Sequence, residues 1–129
     1  MFLVPDNWAT IEITSLTQGG ALHQHNYSLI CTIRTIQGMN ITPQAYWYNS
    51  NGTIIQTGGR FRVDKVNKNS SITTLSLTFS LVLHNHDGAV YSCQAHVTVP
   101  WMTTQPPVKQ ASVNMAVISK AQLIIAKCS

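Results

Sequence analysis

Apolar and polar residues alternate singly along most of this chain, and no helical period persists over a dozen residues. Single alternation sends successive side chains to opposite faces of a strand, so the pattern predicts short β-strands separated by turns. The first strand is Ala9-Thr10-Ile11-Glu12-Ile13-Thr14, ahead of a turn at Gly19-Gly20. The second spans 27–35, with Leu29, Cys31 and Ile33 in phase. Turn residues from Gly38 to Pro43 then lead into an aromatic strand at 44–49, built on Ala45-Tyr46-Trp47-Tyr48. Asn51-Gly52 is a tight hairpin signal into Thr53-Ile54-Ile55-Gln56. Gly58-Gly59 breaks that run, and Arg60-Phe61-Arg62-Val63 reads as the next strand. A further strand covers Ser71 to Leu83, and another runs over 89–99 with Tyr91, Cys93, Ala95, Val97 and Val99 in phase. The last alternates through Val113, Met115 and Val117. There is no internal repeat. The pattern predicts an all-β sandwich.

Composition narrows the function classes. A chain of 129 residues fits one domain with one core. Charged residues make up 9%, far below the usual quarter or so, and Ser and Thr stand in their place. The net charge is +4, yet the basic residues are scattered apart from those between 60 and 68. Phosphate binding needs a clustered basic stripe that releases several counterions together, so a nucleic-acid partner is excluded. Four acidic residues (Asp6, Glu12, Asp64 and Asp87) offer no pair for general acid–base work. Ser92 and His96 share one strand face but stand about 13 Å apart, too far for a nucleophile–base hydrogen bond. There is no Gly-rich phosphate loop, and no enzyme activity or cofactor is expected. The pairs His23-Gln24-His25 and His84-Asn85-His86 are read as polar turn residues rather than a metal site.

The decisive set is Cys31, Trp47 and Asp87-Gly88-Ala89-Val90-Tyr91-Ser92-Cys93. It resembles the immunoglobulin superfamily over roughly residues 8 to 118. The resemblance implies an immunoglobulin-like β-sandwich of two antiparallel sheets with Greek-key connections, of variable-like or intermediate type. In that family's lettering the strands above run A, B, C, C′, D, E, F and G. The resemblance further implies a Cys31–Cys93 disulfide between strands B and F, covered by Trp47 on C, with Tyr91 as the tyrosine corner. Leu29, Leu77 and Phe79 fall in the implied core, and Arg60 opening strand D would pair with Asp87 below the sandwich. The disulfide would close a loop of about 62 residues, worth roughly 4 kcal/mol in the chain-entropy account. Cys128 is left over as a cloning scar, a residue with a partner elsewhere, or a free thiol. The domain is taken as 1–119. Residues 120–129 are taken as a tail, either a linker to a further domain or a cloning remnant.

Four Asn-x-Ser/Thr sequons, at Asn26, Asn40, Asn51 and Asn69, join the disulfide framework in favouring a secreted or ectodomain fragment. No apolar run approaches a membrane span. A signal peptide in the precursor, and membrane attachment through a region outside this fragment, are expected. Family resemblance implies a recognition domain of a cell-surface receptor or adhesion protein, binding another cell-surface protein or a copy of itself. A soluble secreted effector or decoy, and a structural spacer, are the alternatives. With Trp47 inward, Tyr46 and Tyr48 point outward on strand C, beside Gln94, His96 and Thr98 on F and Ser112, Asn114 and Ala116 on G. Protein interfaces favour aromatics and are depleted of charge at their centres. This GFCC′ face, with Trp101 and Met102 on the F–G loop, is the candidate ligand surface.

Overall fold

The computed structural model describes residues 4–15, 21–22, 25–36, 43–69, 71–82 and 86–118. Its strands are β1 (Ala9–Ser15), β2 (Ala21–Leu22), β3 (Tyr27–Thr35), β4 (Gln44–Tyr48), β5 (Phe61–Asn67), β6 (Ile72–Phe79), β7 (Val90–His96), β8 (Lys109–Asn114) and β9 (Val117–Ile118). They form a four-stranded sheet in the order β1-β3-β6-β5 and a three-stranded sheet in the order β4-β7-β8. Both sheets are antiparallel throughout. The short strands β2 and β9 pair in parallel, Ala21 opposite Val117.

Alternation along each strand decides what lies between the sheets. On β6, Thr73, Leu75, Leu77 and Phe79 are buried while Thr74, Ser76 and Thr78 are half-buried on the other face. On β3, Leu29, Cys31 and Ile33 point the same way. The opposing sheet contributes Ala45, Trp47, Tyr91, Cys93 and Ala95. Cys31 and Cys93 are bonded across the gap, with Cα atoms 6.3 Å apart. Trp47 lies opposite Cys93 in the β4–β7 register and is fully buried. Its indole N–H donates to the Leu75 carbonyl at 3.0 Å, so the one polar atom of the ring is satisfied across the core.

Phe79 is the centre of an aromatic cluster at one end of the sandwich. Tyr91 and Phe61 both meet it edge-on, with ring centroids at 5.2 Å. His86 meets it at 5.3 Å and Tyr27 at 6.3 Å. At the other end Trp8, fully buried, donates its Nε1 hydrogen to the Pro107 carbonyl at 2.8 Å. That bond ties the chain before β1 to the stem of β8. The alternation pattern gave no sign of it, because Trp8 precedes the first strand.

Three expectations are corrected. The strand expected at 53–56 reduces to a single bridge, Ile54 opposite Tyr48. Gly52 turns the chain at a φ of 78°, and Ile55 then donates to the Trp47 carbonyl and drops into the core. The strand expected at 60–63 runs on to Asn67 as an edge strand. Thr57 hydroxyl both accepts from the Val63 amide and donates to its carbonyl, capping that edge. Finally, Arg60 and Asp87 do not form an ion pair. Asp87 Oδ1 instead accepts the Val117 amide at 2.9 Å, so the corner aspartate clasps β9. Arg60 offers its carbonyl to the Ser80 amide and hydroxyl. Ion pairs among the described residues are Arg34–Glu12 at 3.8 Å and Arg62–Asp64 at 3.0 Å. The Gly19-Gly20 turn, Asn40, and the tail from 120 to 129 with Cys128 lie outside the described residues.

Candidate functional site

The outer face of the β4-β7-β8 sheet is set by what the inner face buries. Because Ala45, Trp47, Cys93 and Ala95 turn inward, Gln44, Tyr46 and Tyr48 turn outward beside His96, Gln94 and Ser92. The β7–β8 register adds Gln110 opposite Gln94, Ser112 opposite Ser92, and Asn114 opposite Val90. The Tyr48–Ile54 bridge adds Ile54 at the far edge. No residue of these rows carries a formal charge. The four ion-paired side chains, Glu12, Arg34, Arg62 and Asp64, all belong to the other sheet.

Hydrogen bonds join side chains of this face in two groups. Gln94 Nε2 donates to Gln110 Oε1 at 3.0 Å, and Gln110 Nε2 donates to Ser112 Oγ at 3.2 Å. The Ser112 and Ser92 hydroxyls are 2.8 Å apart. His96 Nε2 bonds Gln44 Oε1 at 2.9 Å, and the imidazole stacks on the Tyr46 ring at 6.0 Å with planes 24° apart. Tyr46 is 38% exposed, Ile54 42% and Val90 36%, so three sizeable apolar groups break the surface. Side chains bonded to one another in this way lose little further freedom when a partner covers them.

The β7–β8 loop caps one end of the same sheet. Trp101 is 46% exposed, whereas Met102 is half-buried against the core. Trp101, Met102, Thr103 and Thr104 frame an open hollow of about 240 Å³. The sequence reading set Trp101 and Met102 together as contacts. The structure separates them, Trp101 at the surface and Met102 as a packing anchor beneath. Val108, just ahead of β8, is also exposed.

Gln105 holds this loop. Its Oε1 accepts the Val99 amide at 2.6 Å, and its Nε2 donates to the carbonyls of Val99 at 3.0 Å and Met102 at 2.7 Å. Gln44, Ile54, Gln105 and Gln110 were not singled out from the sequence. Gln110 was legible, since it is in phase with Ser112. Ile54 was legible from the Asn51-Gly52 hairpin, which sets it opposite Tyr48.

The opposite pole holds His25 and His86. The Val82 amide donates to the His25 carbonyl at 2.9 Å, which joins the chain just before β3 to the chain just after β6. His86 lies against Phe61 and Phe79, and burial, followed by the field of Arg60, holds its imidazole below the ordinary histidine range. Burial likewise raises the Tyr91 phenol. His23 and His84 lie outside the described residues. Among the described residues no three His, Cys, Asp or Glu side chains gather in a metal-binding arrangement. Of the sequons, Asn26, Asn51 and Asn69 are exposed. Asn69 Oδ1 accepts the amides of Ser71 and Ile72, which fixes the turn between β5 and β6.

No protein-family model and no curated protein matches the chain. Solved structures do. A chain of the crystal structure of Dpr2 Ig1–Ig2 in complex with DIP-Theta Ig1–Ig3 superposes on 84% of this chain with a TM-score of 0.60 and 23% identity. Two further structures superpose similarly, Rst D1–D2 (84%, TM-score 0.53, 17% identity) and the full ectodomain of mouse nectin-like molecule 4, Ig1–Ig3 (87%, TM-score 0.51, 15% identity). The domain has the immunoglobulin fold. It spans 32%, 48% and 34% of those three longer chains. The sheets β1-β3-β6-β5 and β4-β7-β8 correspond to the ABED and CFG sheets of the seven-stranded form, and the Ile54 bridge is all that remains of a C′ strand.

Proposed function

We propose that this immunoglobulin domain is an extracellular recognition module that binds another cell-surface protein, or a second copy of itself, through the outer face of β4-β7-β8 and the adjoining Trp101 loop. One observation carries the reading: a contiguous face with no formal charge, centred on Tyr46 and His96 and edged by Ile54, in a domain whose net charge is +4. Protein interfaces have this make-up at their centres, with aromatics enriched and Lys, Glu and Asp depleted. The structural neighbours support a protein partner, since one of them is the Dpr2–DIP-Theta complex. The disulfide and the exposed sequons support an extracellular setting. Any membrane attachment is assigned to residues outside this sequence.

The test is to multimerise the domain and display it against a library of cell-surface ectodomains that includes the domain itself. The expected result is a saturable partner whose binding is abolished by Tyr46→Arg and retained by Arg34→Ala on the other sheet. A partner that survives Tyr46→Arg and is lost with Arg34→Ala would move the site to the opposite face.

A further inference from the structure

We propose that Gln105 is the positioning residue of the recognition loop, and that its carboxamide presets Trp101 for rigid docking rather than folding on contact. The inference deepens the reading of this loop as part of the binding surface and rests on it.

The geometry is that of a side chain acting as a strand neighbour. Beyond His96 the β7–β8 ladder has ended, and the Val99 amide and carbonyl would otherwise lack a partner from β8. Gln105 supplies both, accepting from the Val99 amide at 2.6 Å and donating to its carbonyl at 3.0 Å. The second Nε2 hydrogen reaches the Met102 carbonyl at 2.7 Å. A carboxamide has two donors and one acceptor oxygen, and here all three functions close on the loop's own backbone. Met102 amide also donates to the Val99 carbonyl at 3.1 Å, so the turn carrying Trp101 is bonded from within. Beyond Gln105, Pro106 is buried and the Pro107 carbonyl is held by Trp8. The loop is therefore fixed at both stems, with Trp101 at its surface. A large aromatic held in place loses little entropy on binding, which is the condition for an interface anchor.

The test needs no partner, because Trp8 and Trp47 are 0% exposed and Trp101 is 46% exposed. Quenching of the protein's fluorescence by acrylamide therefore reports Trp101. In Gln105→Ala the Val99 amide should exchange with deuterium about tenfold faster or more, and Trp101 quenching should rise by about twofold, with core amides unchanged. Gln105→Glu gives a second readout. When ionised it keeps the acceptor for Val99 but turns negative oxygen on two carbonyls; when protonated it regains one donor. Trp101 quenching in Gln105→Glu should therefore rise with pH more steeply than in the wild type. Unchanged Val99 exchange and Trp101 quenching in Gln105→Ala overturn the proposal. So does a lowered melting temperature with Trp101 quenching unmoved, since Gln105 would then be only a structural brace. Either failure leaves the reading of the sheet face standing, because that is tested by Tyr46→Arg.

Discussion

Trp47 and Leu75 join the two sheets through a single hydrogen bond of 3.0 Å, indole N–H to backbone carbonyl, beside the Cys31–Cys93 disulfide. The ring fills the core while its nitrogen reaches the backbone of the opposite layer. Packing and polar satisfaction are thus met by one side chain. The same inward turn of Trp47 sends Tyr46 and Tyr48 outward, so the core residue also fixes which side chains the outer face of the sheet presents.

Trp47→Phe keeps most of the buried surface but leaves the Leu75 carbonyl without that donor. The expected loss is about 1–3 kcal/mol. Trp47→Ala should cost about 3–5 kcal/mol through the cavity it opens. Urea unfolding checks both, with a lower midpoint and an unchanged slope for the phenylalanine variant.

Cys31→Ala removes a cross-link that closes 62 residues of chain. Loss of a native disulfide from a small extracellular domain costs about 2–5 kcal/mol. Thermal unfolding should show a melting temperature lower by about 6–25 °C, or no cooperative transition. A melt within a few degrees of wild type would contradict the weight given to this bond.

His86 gives the fold an acid sensitivity. Its imidazole, packed against Phe61 and Phe79, is held below the ordinary range by burial and then by Arg60, while its chain neighbour is Asp87. The folded state therefore binds fewer protons than the unfolded chain, and stability rises with pH across this window. The contribution is present above about pH 6.5, the unfolded value, and is lost as pH falls through the lower folded value. Melting temperatures at pH 7 and pH 5 should differ less in His86→Phe than in the wild type.

The two ion pairs should matter little. Arg34 and Glu12 are both more than half exposed at 3.8 Å. Glu12→Gln is expected to shift stability by less than about 0.5 kcal/mol, read by urea denaturation.

The strands at 9–14 and 27–35 and the inward set Leu29, Cys31, Trp47, Leu77, Phe79 and Cys93 were legible because burial on one face imposes strict alternation, whereas the two-residue strand β2 was not. What the sequence hid was contact between elements distant in the chain. Trp8 is buried by Pro107, and no local pattern announces that. Arg60 and Asp87 had the right charges, but the Val117 amide took the carboxylate, because a corner aspartate satisfies a nearby backbone donor more readily than it holds a long exposed side chain. Of the face, Tyr46, Tyr48, Gln94 and His96 were readable by parity from Trp47 and Cys93. The loop was only half readable. An exposed tryptophan and a half-buried methionine look alike in sequence, and a glutamine three residues further on gives no hint that it bonds backward.

The central claim is that one face of the sandwich recognises a protein, and a glycan placed on each face in turn tests it directly. The paired substitutions Gln94→Asn and His96→Thr write a sequon into the β4-β7-β8 face, while Thr74→Asn, completed by the existing Ser76, writes one on the four-stranded sheet. Expressed on cells, both variants should reach the surface and melt near the wild type. Binding of the multimerised partner should vanish for the first and persist for the second. Binding that persists through the first glycan and disappears with the second would contradict the account.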